Sequence, residues 1–113
     1  MSSSLLTVSK MYRIGTDIVK ISRIEKSIKS NAFLHRVFTD KEREYCKKAE
    51  SFAGIFAVKE AYFKAVGTGI NKPLTDIEVL HNDMGKPYIN GIENCDVSIS
   101  HDGEYAIAAV IIW

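Results

Sequence analysis

Glu60 and Lys64 stand four residues apart in a mostly apolar stretch, and this spacing is the first sign of chemistry in the chain. On a helix, two side chains four residues apart share one face and can reach the same ligand. An ion pair across one helical turn is the simpler alternative. Asp17 is a second candidate carboxylate, because it follows Gly15 at the expected end of the first strand and could project toward the helix. Considered alone, however, Asp17 is more typical of a turn.

Two carboxylates without a histidine or thiolate partner are typical ligands of a hard cation. Mg²⁺ commonly takes one or two protein carboxylates and completes its coordination with waters and substrate phosphate oxygens. Asp17 and Glu60 meet that requirement, and Lys64 would then neutralise phosphate charge. These three residues are therefore predicted to form a metal and phosphate site.

Residues 52–66 (FAGIFAVKEAYFKAV) must position this site, and they are apolar on nearly every side of a helix. Such a helix is normally buried, and burying a charge is costly unless it is paired or bound. Glu60 and Lys64 have the role given above. Lys59 points roughly a third of a turn away, so we assign it a supporting or structural role with its stem reaching solvent. Ser51 is the expected N-cap.

The elements before this helix can be placed from local motifs. Residues 12–19 predict a first strand, with Gly15 at a bulge or a close approach. Residues 22–25 (SRIE) match a capping box and predict a helix that begins at Ser22. Residues 39–42 (TDKE) match a second capping box before a short helix, and residues 33–38 are expected to form a helical or turn segment.

Beyond Pro73 the pattern changes to short alternating runs, which are typical of strands. Residues 82–85 are expected to form a turn, and Asp102-Gly103 a tight hairpin. The last run is apolar on both faces, which predicts a central strand or one covered by another subunit. The predicted order is a strand, about three helices including the long buried one, and then an antiparallel meander. This order favours an α+β domain. The runs contain Ile77 and Val79, Tyr88 and Ile89, Val97 and Ile99, and residues 105–113.

Ser100, His101 and Asp102 invite comparison with a catalytic triad, but their spacing argues against one. Adjacent residues of a strand point to opposite faces, so the three cannot align as nucleophile, base and orienting group. Ser98 and Ser100 instead share a polar face, and His101 is placed at the hairpin mouth to contact a ligand. A simply exposed histidine is the alternative.

The composition sets broad limits. The 113 residues suit one domain, for which we predict residues 11–113, with residues 1–10 as a loosely ordered extension or cloning remnant. Fifteen Lys and Arg against 14 Asp and Glu give no overall case for nucleic acid or a membrane surface. Cys46 and Cys95 lack metal-site spacing, so they are expected to be reduced thiols of a cytoplasmic protein.

Several short motifs occur in a fixed order along the chain. Each is weak alone, but the ordered set is highly specific. From Met11 to the C-terminus it resembles the holo-acyl-carrier-protein synthase family of 4'-phosphopantetheinyl transferases, and it includes the same three candidate residues. The motifs are residues 14–19 (IGTDIV), 56–61 (FAVKEA) with Lys64, 67–70 (GTGI), 76–79 (DIEV), 85–87 (GKP) and 97–101 (VSISH).

The resemblance implies that the 4'-phosphopantetheine arm of coenzyme A is transferred to a serine hydroxyl of apo acyl carrier protein, releasing adenosine 3',5'-bisphosphate, for fatty acid biosynthesis. It implies Mg²⁺, with Mn²⁺ as the alternative, held by Asp17 and Glu60. Glu60, directly or through a metal-bound water, would accept the serine proton. Lys64 would stabilise the pyrophosphate and the leaving phosphate.

The resemblance also implies a homotrimer with active sites between subunits, which would cover the apolar terminal strand. A coenzyme A cleft and a basic docking helix for the acidic carrier protein are implied as well. For any single lysine of that helix, a solvated face is the alternative. The cleft residues are Lys64, Gly85, Lys86, Pro87, Ser98, Ser100 and His101, and the docking residues are Arg23, Lys26 and Lys29.

One position departs from the family pattern. Where many members have an arginine for the nucleotide phosphate, this chain has Ile55. Lys47 or Lys48, just before the core helix, is the hypothesised substitute, with Lys48 included among the coenzyme A-binding residues.

The sequence is less consistent with two other functions. A non-catalytic module that binds coenzyme A or carrier protein would be expected to lose a metal carboxylate or the lysine, and Asp17, Glu60 and Lys64 are all present. A small RNA-binding domain would be expected to have an aromatic strand motif and a basic overall charge, which this chain lacks.

Overall fold

The structure is a computed structural model that describes residues 11–113, so the expectation for residues 1–10 lies outside the described residues. It confirms the α+β class. The segment expected as helix or turn is a helix, giving four α-helices in residues 11–113. In order, the elements are β1 (Arg13–Lys20), α1 (Ile21–Ser27), α2 (Asn31–Val37), α3 (Asp40–Tyr45), α4 (Ala49–Val66), a 3-10 turn (Leu74–Asp76), β2 (Val79–His81), β3 (Pro87–Ile89), β4 (Cys95–Asp102) and β5 (Tyr105–Ile112).

Helix α4 is the buried core helix that the sequence predicts, but it begins earlier than expected. It starts at Ala49, and its N-cap is Lys48, which makes no side-chain cap hydrogen bond. The predicted N-cap role of Ser51 is therefore wrong, because extended backbone at Lys48 starts the helix two residues before Ser51. The C-terminus is as expected: Gly67 adopts the left-handed conformation (φ 86°), which glycine reaches without steric cost.

A three-stranded antiparallel sheet in the order β1-β5-β4 packs one face against α4. The predicted close approach at Gly15 is confirmed, since a Cβ there would overlap the carbonyl oxygen of Ala61 and lie 2.6 Å from the backbone nitrogen of Ala65. Helix and strand backbones thus come into direct contact. The terminal strand β5 is central, as expected, with Ala106, Ala108 and Val110 buried against the core.

Two predictions about element boundaries before α3 are wrong. Strand β1 continues to Lys20 instead of ending near Asp17. Helix α1 follows it directly from Ile21, with Lys20 as N-cap and no side-chain cap, so Ser22 is not a capping residue. The reason is tertiary, because the Ile21 N–H donates to the Glu104 carbonyl oxygen (2.8 Å). The second capping box, at Thr39, is present in full.

The expected meander is divided between two sheets. Strands β2 and β3 pair only with each other in residues 11–113, whereas β4 and β5 join β1. The turn at 82–85 is confirmed, since the Asn82 side chain accepts hydrogen bonds from the Met84 and Lys86 N–H groups (both 2.9 Å). Ile77 ends the 3-10 turn instead of entering a strand.

A buried ion pair ties α3, α4 and the β2-β3 hairpin together. Lys59 is fully buried, so the expected solvent-reaching stem is wrong; its ammonium donates to Glu42 Oε1 (2.8 Å) and to the Leu74 carbonyl oxygen (2.9 Å). Glu42 is also fully buried and accepts from the Thr39 N–H (2.8 Å) and the Val79 N–H (2.7 Å). Burial lowers the pKa of Lys59, and Glu42 opposes that shift.

The Glu42–Lys59 pair should be essential for stability. Glu42→Gln leaves a buried ammonium without its anion, and breaking a buried pair costs about 3 to 5 kcal/mol in free energy of unfolding. Glu50→Gln, at the exposed pair with Lys48 (3.9 Å), is the matched control and should cost less than about 1 kcal/mol. Urea unfolding measures both. Equal losses for the two variants would contradict the assignment.

Candidate functional site

The fold brings Asp17, Glu60 and Lys64 together. Alternation along β1 puts Gly15, Asp17 and Val19 on the face that meets α4. The Lys64 ammonium donates to Asp17 Oδ1 at 3.0 Å, so this lysine pairs with the strand carboxylate and not across one helical turn with Glu60. The Asp17 side chain is 15% exposed and that of Lys64 58% exposed. The lysine therefore spans from the core to solvent.

Glu60 is half-buried beside a second negative charge. Burial raises its pKa, and the Asp17 carboxylate raises it further, while Lys64 and Arg23 act in the opposite direction. Two carboxylates are thus close enough to repel each other, with two cations near them. Residues 11–113 contain no cluster of three or more His, Cys, Asp or Glu side chains that could hold a metal. A pair of carboxylates fits Mg²⁺, which takes its other ligands from water and phosphate.

Two open hollows meet at Lys64. One, of about 410 Å³, is lined by Glu60, Phe63, Lys64, Gly67, Gly69 and Ile70. The other, of about 350 Å³, is lined by Asp17, Lys64 and the outer edges of β1 and β5. A ligand in either hollow would meet the lysine and one of the two carboxylates.

The predicted coenzyme A residues are not all in one cavity. Gly85, Pro87 and His101 line a cavity of about 230 Å³ between α4, the β2-β3 turn and β4. Ser100 joins His101 in a neighbouring hollow. Ser98 and Lys86 lie around a third hollow, where the Lys86 ammonium contacts Asp96 (2.8 Å) and the Val97 carbonyl oxygen (3.0 Å). Lys48 does not line the cavity and lies 3.9 Å from Glu50.

Gly54 is what allows β4 to approach α4 at this cavity. A Cβ on Gly54 would lie 2.9 Å from Ile99 Cγ2 and 3.1 Å from His101 Nε2. His101 Nε2 is also 3.2 Å from the Glu50 carbonyl oxygen. The histidine is exposed, as the sequence allowed, but its ring is held against the first turns of α4.

Sequence reasoning missed Tyr45 and His81, which also line this cavity. Their rings are stacked, with centroids 3.9 Å apart and planes inclined by 7°. One comes from the end of α3 and the other from β2. No local motif connects positions so far apart in the chain, so only the fold could reveal them.

The predicted basic docking residues face outward. Arg23 and Lys26 lie on α1 and are exposed, while Ile24 on the same helix is buried. Lys29 is also exposed, but α1 ends at Ser27, so the prediction that Lys29 belongs to this helix is wrong. Arg23 is close enough to Glu60 for its charge to lower the pKa of that carboxyl. The predicted docking helix therefore adjoins the carboxylate site.

Comparison with known proteins identifies the family. A model described as the 4'-phosphopantetheinyl transferase superfamily matches residues 13–110. The chain belongs to this superfamily. Among curated relatives, the holo-[acyl-carrier-protein] synthase of Fusobacterium nucleatum is 43% identical over 117 residues, covering 88% of this chain and 96% of the relative. That of Clostridium botulinum (strain Eklund 17B) is 47% identical, with coverages of 88% and 94%.

Solved synthases of the superfamily share the fold. The holo-(acyl-carrier-protein) synthase of Bacillus anthracis, in complex with CoA (3',5'-ADP), has a TM-score of 0.78 at 42% identity, covering 88% of this chain and 93% of that one. The Helicobacter pylori enzyme in complex with coenzyme A has a TM-score of 0.80 at 40% identity, with coverages of 86% and 96%. In the described part of this chain, every helix is too short or too polar to cross a membrane.

The raised pKa of Glu60 predicts a pH-dependent stability. A carboxyl whose folded-state pKa is raised contributes stability that is complete below its ordinary pKa of 4.5 and is lost as pH rises through the folded-state value. Glutamine cannot ionise, so Glu60→Gln should melt at a higher temperature than the unmodified protein at pH 7 in EDTA. The difference should vanish below pH 4.5.

Thermal unfolding followed by circular dichroism across this pH range measures the effect. Glu25→Gln, at an exposed glutamate of α1, is the matched control and should leave the melting temperature unchanged. A Glu60→Gln variant less stable than the unmodified protein at pH 7 would contradict the electrostatic account.

Proposed function

We propose that this chain is a holo-[acyl-carrier-protein] synthase that transfers 4'-phosphopantetheine from coenzyme A to a serine of apo acyl carrier protein. The products are holo acyl carrier protein and adenosine 3',5'-bisphosphate, and the pathway served is fatty acid biosynthesis in the cytoplasm. The observation that carries the proposal is the meeting of Asp17, Glu60 and Lys64 between β1 and α4. The relatives' shared name supports the same activity.

Asp17 and Glu60 would hold Mg²⁺, with Mn²⁺ as the alternative. When bound, the cation supplies positive charge to the phosphoryl oxygens of coenzyme A. The mutual repulsion of the two carboxylates supports this assignment, because a divalent cation would relieve it. Lys64 already reaches Asp17 and is largely exposed, so its ammonium can turn to a phosphate in the adjoining hollows.

Glu60 is the proposed proton acceptor. The serine oxygen forms a bond to the phosphorus that carries the pantetheine arm, while the bond from that phosphorus to the departing adenosine 3',5'-bisphosphate breaks. The serine proton goes to Glu60, directly or through a water. A carboxyl with a raised pKa is a better base near neutral pH than an ordinary one, because its proton affinity is closer to what the transfer requires.

The remaining predicted residues are assigned to substrate contacts. Gly85, Pro87 and His101 share one cavity, which supports a place for coenzyme A there. Lys86, Ser98 and Ser100 lie around neighbouring hollows on the sheet. A long substrate could pass from one hollow to the next.

The acidic carrier protein is proposed to dock on α1 and the turn that follows it, through Arg23, supported by Lys26 on the helix and Lys29 on the turn. All three side chains are exposed. The influence of Arg23 on Glu60 supports this choice, because a carrier held at Arg23 would present its serine close to the proposed base.

We further propose that three copies of the chain assemble through the outer face of the sheet. This face exposes Ile14 (69%), Ile18 (64%) and Ile107 (47%), which form an apolar patch of the kind that marks interaction surfaces. Ile18 and Ile107 line the same hollow as Asp17 and Lys64. A neighbouring subunit on this face would therefore complete the active site.

The transfer reaction can be tested by intact mass. The protein is incubated with coenzyme A, Mg²⁺ and apo acyl carrier protein from the same organism, and we expect the carrier to gain one phosphopantetheine. Glu60→Gln should lower the rate by at least about a hundredfold, because it removes a general base and a metal ligand. Glu93→Gln, at an exposed glutamate in the loop between β3 and β4, should retain full activity.

Absence of a mass gain with a competent carrier would defeat the enzyme proposal. Retention of coenzyme A binding in that case would favour the non-catalytic module. An active Glu60→Gln variant would instead show that the metal and base assignments are wrong.

The assembly can be tested by light scattering after size-exclusion chromatography. The unmodified chain should elute with the mass of three copies. Ile18→Glu should give a single copy, because it places a charge in the apolar patch, whereas Met84→Glu, at a residue 91% exposed on the β2-β3 turn, should remain trimeric. A monomeric unmodified protein that transfers phosphopantetheine normally would overturn the assembly proposal.

A further inference from the structure

Lys86 makes the polar contacts between the β2-β3 hairpin and the three-stranded sheet. Its ammonium lies 2.8 Å from Asp96 Oδ1 and donates to the Val97 carbonyl oxygen (3.0 Å), and both acceptors are on the edge strand β4. Within residues 11–113, no backbone hydrogen bond joins the hairpin to that sheet. One side chain therefore carries the polar connection between these two parts of the fold.

The turn that carries Lys86 is held together by its own hydrogen bonds. Asn82 Oδ1 accepts from the Met84 and Lys86 N–H groups (both 2.9 Å), and the Asn82 N–H donates to the Lys86 carbonyl oxygen (3.0 Å). Gly85 adopts the left-handed conformation (φ 84°) that the turn requires. Such a turn would move as one unit, so its place beside β4 depends on an anchor outside it.

The Lys86 side chain lies in a different hollow from its two neighbours in the chain. Gly85 and Pro87 line the cavity of about 230 Å³ beside α4, and Lys86 does not. Lys86 instead lines the hollow that contains Asp96 and Val97, and its ammonium already has two oxygen partners there. This geometry fits a side chain that holds one wall of the cavity better than one that contacts a ligand inside it.

Asp96 is suited to anchor the lysine at neutral pH. The hydrogen bond from Lys86 lowers the pKa of Asp96 below its ordinary value of 3.8, so the carboxyl group is ionised. Asp96 Oδ1 also accepts from the Val97 N–H (3.0 Å), which fixes the carboxylate on β4. The Lys86 and Asp96 side chains are 51% and 56% exposed, so their ion pair has the modest strength of an exposed one.

We propose that Lys86 is a positioning residue for coenzyme A, which acts through Asp96 to hold the β2-β3 turn, and with it Gly85 and Pro87, against β4. The proposal rests on the proposed function for the identity of the ligand, and it refines the place of Lys86 among the cleft residues. When the ion pair is lost, the turn also occupies positions away from the cavity. The affinity then falls with the fraction of molecules in which the turn is in place.

Calorimetric titration with coenzyme A separates a positioning role from a direct contact, because Asp96→Asn has opposite effects in the two cases. Loss of the anchor should weaken binding about threefold to fivefold, as expected for an exposed ion pair. If Lys86 bound the ligand directly, the same variant would free its ammonium and leave binding unchanged or tighter. Asp83→Asn, at an exposed aspartate of the same turn, is the matched control and should leave the affinity unchanged.

Two further variants and a kinetic measurement complete the test. In a Lys86→Met background, Asp96→Asn should cause no additional loss, because the pair is already broken. The exchange Lys86→Asp, Asp96→Lys should recover most of the affinity, because it restores an ion pair between the turn and β4. In the intact-mass reaction, Asp96→Asn should raise the KM for coenzyme A and leave kcat unchanged, since it weakens binding without removing a reacting group.

Unchanged or tighter binding by Asp96→Asn, or an exchange variant as weak as Lys86→Met, would overturn the proposal. A loss of affinity accompanied by a smaller mass in light scattering would also overturn it, because the effect would then lie at the subunit interface. A chain that transfers phosphopantetheine and keeps full affinity in Asp96→Asn refutes this inference alone. A chain that transfers none to a competent carrier refutes the proposed function.

Discussion

The direct contact between the backbone of β1 and the backbone of α4 is the constraint on which the rest of the structure depends. Gly15 has no side chain, so the strand can lie against the Ala61 carbonyl and the Ala65 nitrogen. Any larger residue at Gly15 would push the helix away from the sheet. Strand alternation then places Asp17, two residues on, against the same helix. Because Gly15 keeps β1 close to α4, the Asp17 carboxylate on the strand can reach Lys64 on the helix.

Two adjacent residues of the same helix carry charges with different surroundings. Successive side chains on an α-helix diverge by about 100°, so Lys59 points into the core while Glu60 points to the carboxylate site. Lys59 is fully compensated by Glu42 and by the Leu74 carbonyl oxygen. Glu60 is half-buried beside the like charge of Asp17, and its pKa is raised, first by burial and then by that charge. Lys59 thus serves the stability of the fold, whereas the proposed chemistry is assigned to Glu60.

The sequence predicted features that depend on residues close together in the chain, and it missed features that depend on residues far apart in the chain. The capping box at Thr39, the left-handed cap at Gly67 and the turn at Asn82 use bonds between residues close in the chain, and the motifs predicted them correctly. Ser22 matched a capping motif equally well, but a bond from Ile21 to Glu104, across the fold, decided that helix start. The Glu42 partner of Lys59 was missed because its bonds cross between elements.

The candidate site residues followed the same rule. Asp17, Glu60 and Lys64 could be selected from residue type, burial of charge and resemblance to a family. Tyr45 and His81 could not, because they meet only after α3 and β2 have packed beside the cavity. Glu42 belongs to the structural framework, because its buried carboxylate has hydrogen-bond partners within the chain. The neighbouring carboxylates of Asp17 and Glu60 and the exposed isoleucines beside them are not stabilised in this way within one chain. Since like charges held together and exposed apolar surface both cost free energy, these are the places where the proposed cation and the proposed second subunit would lower it most.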